Sequence, residues 1–121
     1  ESGADAFFVT REVSAAGGRA IRLVDFVGNK SVIAGIGRWI CDYLETREAE
    51  YIDFYEYGFH DDDIKLAGFT ERAADDSNII PDHFSPFERK NVEIYFHAPD
   101  TDVVICKADG DQDRPNQILM P

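Results

Sequence analysis

No stretch of this chain stays apolar for the ~20 residues that cross a bilayer, so the sequence offers no helical membrane span. Basic residues are in short supply: 12 Lys and Arg stand against 24 Asp and Glu, a formal net charge of −12. Nucleic acids and anionic membranes are held by clustered Lys and Arg that displace counterions, and both are excluded as expected partners. Cysteine is scarce too. Cys41 and Cys106 are too far apart for a zinc spacing and too few for a disulfide framework, so both are read as buried, reduced thiols. No basic, apolar leader opens the chain, and the expected location is cytoplasmic.

What is abundant is aromatic: nine Phe and five Tyr in a chain that is 44% hydrophobic, a composition that builds a packed core. The 121 residues suffice for one domain. The opening Glu1-Ser2-Gly3-Ala4-Asp5 reads as a linker. The expectation is a single domain, or the C-terminal half-domain of a longer protein. Residues 109–121 read as a polar, loosely held tail.

Periodicity sets out the elements. Residues 6–13 and 19–27 read as strands joined at Ala16-Gly17-Gly18, a β-hairpin. Asn29 or Ser31 caps a helix from Val32 to about Glu48, with apolar residues at Val32, Ile33, Ile36, Ile40 and Leu44. Residues 49–57 alternate and are rich in rings, a strand. Among these rings Tyr51, Tyr55, Tyr57 and Phe59 are expected on one face and Phe54 on the other. A short helix spans about 61–67 and stops at Gly68. Strands are expected at 69–72, 91–97 and 103–108, with a long loop over 73–91 pinned by Phe84 and Phe87. The order β-β-α-β-α-β-β-β predicts an α+β fold with a twisted mixed sheet, and the strand–helix–strand crossover demands one parallel pair.

Gly35-Ile36-Gly37-Arg38 lies where a strand has just ended and a helix begins. Free amides and the positive end of a helix dipole gather there and attract anions, although packing glycines occupy such positions equally well. His60-Asp61-Asp62-Asp63 opens the short helix, either as a cap or as a general base or metal ligand at a sheet edge. Asp109-x-Asp111-x-Asp113 has half the spacing of a calcium loop but no later acidic ligand, and reads as solvated. His83 and His97 are too widely spaced to suggest zinc, and Ser31 has no nucleophile-elbow glycines around it.

The element order, the Gly35-Ile36-Gly37-Arg38 turn and Gly68-Phe69 resemble the C-terminal half of the GNAT acetyltransferase superfamily, over about residues 19 to 108. Tyr51-Ile52-Asp53-Phe54-Tyr55, Asn78-Ile79-Ile80-Pro81 and Gly110 to Asn116 are similar to GNAT-like proteins of bacterial surface-polysaccharide biosynthesis. The resemblance implies acetyl-CoA as cofactor, its pyrophosphate on the amides of Gly35, Ile36 and Gly37 with Arg38 nearby. It implies transfer of an acetyl group to an amine, amino sugars included, with His60 or Tyr57 handling the proton. Three family positions carry other residues here: the loop Gln/Arg falls on Val32, the Tyr acid on Ile64 and the Asn on Tyr57. The alternative implied by those replacements is a non-catalytic GNAT-like module, its open sheet edge serving a homodimer or a partner domain.

Overall fold

The computed structural model describes residues 3–15, 17–73, 77–81 and 89–110. Strand β1 (Ala6–Ala15) returns as β2 (Gly18–Gly28), and the two pair antiparallel, as the hairpin pattern requires. The pairing slips once. Val9 lies opposite Asp25 but Thr10 opposite Leu23, so Val24 is an extra residue on β2. A bulge of this kind re-aims the side chains beyond it. Arg22 and Asp25 therefore share one face of the sheet, and Leu23 and Phe26 the other.

A 3-10 turn (Lys30–Gly35) and helix α1 (Gly37–Arg47) lead to β3 (Tyr51–Phe54). β3 joins β2 in parallel, from Ala20 opposite Tyr51 to Leu23 opposite Phe54, as a helical crossover dictates. These strands form a sheet of order β1-β2-β3. Beyond Phe54 the chain changes partner. β4 (Glu56–Tyr57) pairs antiparallel with β5 (Ile105–Cys106), with α2 (Asp61–Leu66) after β4 and a 3-10 turn (Lys107–Gly110) after β5. The architecture is mixed α+β, and no helix among the described residues is long and apolar enough to cross a membrane.

The core lies under α1 and the preceding turn. Ile33, Ile36 and Ile40 bury against Phe26 and Phe59, with Phe8, Ile52 and Phe54 packed around them. Burying each such side chain contributes about 1.5–3 kcal/mol. Phe59 meets Phe26 at 5.0 Å and Phe54 at 5.6 Å, both edge-on, the geometry an aromatic quadrupole favours. Trp39 stacks on Phe8 and Tyr43, and the Tyr43 hydroxyl meets Thr10 Oγ1 at 3.1 Å, fastening α1 to β1.

Several expectations are corrected. The helix expected over 32–48 is two pieces broken at Ile36, because Asn29 starts a tight turn early: its side chain accepts from Ser31 N at 3.1 Å. The strand expected over 49–57 breaks at Tyr55, where it leaves β2, and the break brings Phe59 onto the same side as Phe54. Residues 69–72 and 91–97 have the alternation of strands but no ladder. Asn91 instead ties the segment to Ile80 N and Asn78 O through its side chain, at 2.8 and 2.9 Å. The strand over 103–108 shrinks to Ile105–Cys106, because the Asp109 carboxylate captures the Cys106 amide at 2.7 Å. Asp109 is thereby held, rather than the start of a loose tail. Phe84, Phe87, His83 and residues 111–121 lie outside the described residues.

Cys41 is exposed on α1, against expectation, because its position falls on the outer face of the helix; Cys106 is buried. Burial, then the Asp109 and Asp25 carboxylates, push the Cys106 thiol up to about 12. Thiolate is the reactive form. Titration with a disulfide reagent at neutral pH is expected to modify Cys41 promptly and Cys106 only after denaturation. Two fast thiols in the folded chain would contradict this packing.

Candidate functional site

The Gly35-Ile36-Gly37-Arg38 turn leads from the 3-10 turn into α1. The helix carries no side-chain cap and no acidic residue in its first turn, so its positive end is not neutralised locally. Gly35 faces open space. Ile36 is turned inward: its side chain is in the core and its amide is held by Ile33 O at 3.2 Å. Gly37 is a packing glycine, since a Cβ there would sit 3.1 Å from Ala67 O at the end of α2. Arg38 points into solvent beside Asp42, 3.9 Å away. Val32 and Ile64, where the resemblance implies polar groups, both pack on the core.

His60 and Tyr57 are elsewhere. His60 is the exposed N-cap of α2, followed by Asp61, Asp62 and Asp63 in the first turn, the arrangement a helix dipole favours. Six helical residues span ~9 Å, so α2 holds His60 at one end and Gly37 against the other. Tyr57 lies on β4, its ring 4.8 Å from that of Phe96. The structure does not gather the glycine turn, His60 and Tyr57 into one constellation.

It gathers other residues instead. Arg22 and Asp53, opposite each other on β2 and β3, form a two-point ion pair with Nε–Oδ1 and Nη2–Oδ2 both 3.1 Å, and both side chains are nearly inaccessible. The Arg22 guanidinium and the Lys107 ammonium both lie over the Tyr55 ring, at 5.8 and 4.8 Å. Burial, with Asp53 beside it, pushes the Tyr51 hydroxyl up to about 12. This second sheet face is polar and buried. Lone residues on alternating strands gave no sequence signal for it, because their pairing depends on register.

Two cavities flank β4. One of about 370 Å³ lies between β3, α2 and the 69–72 segment, and includes Asp53, Glu56, Asp61 and Arg72 in its walls. The other, about 420 Å³, lies beneath Tyr57, Tyr95 and Phe96 and includes Glu56, His97 and Cys106. Glu56 borders both. Burial raises its carboxyl above the usual range, opposed by the Phe59 amide, which donates to Oε2 at 3.3 Å, and supported by Asp61. In the sequence Glu56 is hidden in a run of rings, with no motif around it.

A raised carboxyl binds its proton more tightly in the folded chain than in the unfolded one. Its stabilising contribution is complete below the ordinary Glu value and is lost as pH rises through the folded value. Glu56→Gln is therefore expected to be at least as stable as the parent at neutral pH and to flatten the melting temperature between pH 4 and pH 8. An unchanged pH profile would contradict the burial of this carboxyl. Comparison with protein-family models, curated proteins and solved structures finds no match for this chain.

Proposed function

We propose that the chain is a GNAT-like, CoA-dependent N-acyltransferase domain acting on a small-molecule amine. The observation that carries this reading is the parting of two parallel strands. β2 and β3 run together only to Leu23 and Phe54, and the uncapped start of α1 follows the carboxyl end of β2. Open sheets bind ligands outside the carboxyl ends of parallel strands. The first-turn amides of α1, at Gly37 and Arg38, suit an anionic pyrophosphate, with Gly35 leaving open space beside them, while the Ile36 amide is committed to Ile33 O. Arg38, exposed beside Asp42, adds positive charge nearby.

Acetyl-CoA supplies an acyl group already activated as a thioester. The part left to this chain is to hold the anion and to take the proton of the amine as the C–N bond forms, while the C–S bond breaks and the departing CoA thiolate takes up a proton. Glu56 joins His60 and Tyr57 as a candidate for that proton and is preferred, because a base works best with a pKa drawn toward the working pH. The test is thermal melting with acetyl-CoA and with CoA, each at saturating concentration. A ligand at a hundred times its dissociation constant adds about 2.7 kcal/mol of stability, a shift that is easily read. No shift at millimolar ligand would overturn the reading.

A second reading, the non-catalytic module, is favoured by a specific observation. β5 lies beyond the parting, with Cys106 opposite Glu56 on β4 and its thiol within 4.8 Å of the Asp25 carboxylate on β2. The edge strand β1 also leaves Phe7 and Val9 exposed next to Val27 of β2, a surface suited to a second copy. A strict monomer by light scattering across a wide concentration range would remove the dimer.

A further inference from the structure

The register shift at Val24 accompanies an Asp25 carboxylate that stands beside Cys106 at the end of β5 and Asp109 in the turn that follows. One donor atom from each lies within 4.8 Å of the others. Cys106 is 3% exposed, Asp25 half-buried and Asp109 open to solvent. Each carboxylate is fixed by a backbone amide: Phe26 N donates to Asp25 Oδ1 at 2.8 Å, and Cys106 N to Asp109 Oδ2 at 2.7 Å. Hydrogen bonds of this kind are the outer support that orients metal ligands.

We propose that Asp25, Cys106 and Asp109 bind a divalent transition metal of the zinc class, at the wall of the cavity beneath Tyr57. The donor set selects the ion. A sulfur ligand disfavours calcium and magnesium, which take oxygen, whereas zinc and cobalt accept thiolate and carboxylate together. Zinc bonds of ~2.0–2.3 Å draw ligands closer than they stand here, within reach of small side-chain rotations. On binding, the thiol proton leaves to solvent and a metal–sulfur bond forms. A divalent cation beside the thiol favours its deprotonated form. Three protein ligands leave a fourth position. Cys106 and Asp109 both border the cavity that also holds Glu56 and His97, so that position opens toward it and takes water or a small ligand.

The site uses none of Gly35, Ile36, Gly37 or Arg38, so its fate is independent of CoA binding. The test is titration of the chelator-treated chain with cobalt(II), read by the near-ultraviolet thiolate-to-cobalt band, followed by zinc competition. One ion per chain is expected, with the band retained in Cys41→Ser and lost in Cys106→Ser. In Asp109→Asn, affinity is expected to fall by about tenfold or more. The Asp109 variant alters an exposed side chain and decides the question even if Cys106→Ser fails to fold. No band in the parent chain, a band lost with Cys41, or unchanged affinity in Asp109→Asn overturns the proposal.

Discussion

Replacing Asp53 by alanine is expected to destabilise the fold by about 3–5 kcal/mol, a large share of the stability a domain of this size has. The cause is what remains behind. Arg22 is 1% exposed, and both its links to Asp53 are 3.1 Å. Removing the carboxylate takes from a buried guanidinium its two-point counter-charge, where water cannot reach it. Arg11 adds to the cost, because it is the cross-strand neighbour of Arg22 and carries the same charge. Replacing both partners, Arg22→Met with Asp53→Leu, is expected to cost far less, since an apolar pair of similar volume leaves no buried charge. Urea unfolding of the two single variants and the double variant measures this. Equal losses in Asp53→Ala and the double variant would contradict the ion-pair account.

The second large effect is expected at Gly58. Its φ is +99, and a Cβ there would collide with the Val103 carbonyl. Its own carbonyl accepts from Lys30 Nζ at 3.3 Å, and the same ammonium pairs with Asp102 at 3.1 Å. The residue is thus the point where the turn after β4 meets the 103–104 segment that leads into β5. Gly58→Ala is expected to cost on the order of 3 kcal/mol, from left-handed backbone strain plus steric displacement. Gly35→Ala is the control, since a Cβ at Gly35 meets open space, and a change within about 0.5 kcal/mol is expected. Equal stability of the two variants would show that the close approach at Val103 is not maintained in solution.

What was legible in the sequence had local causes. The hairpin followed from alternation and a glycine turn, α2 from its acidic first turn and Gly68, and the parallel pair from the length of the crossover. The failures had non-local causes. Residues 91–97 alternate as a strand does, yet a strand exists only where another edge accepts it, and Asn91 ties this segment down by its side chain instead. The parting of β3 from β2 at Tyr55 depends on where β5 arrives from the far end of the chain. Glu56, the Arg22–Asp53 pair and the Asp25–Cys106–Asp109 group share that character, each created by register or by a bulge. Of the glycine turn, the position was legible, but not that Gly37 would pack against α2 or that the Ile36 amide would be spent.

The central claim, an anion-binding start to α1, is tested most directly by following backbone amide resonances during titration with acetyl-CoA. Shifts concentrated at Gly35, Gly37 and Arg38, saturating together, are the predicted result. Unmoved amides at these positions at millimolar ligand would contradict it.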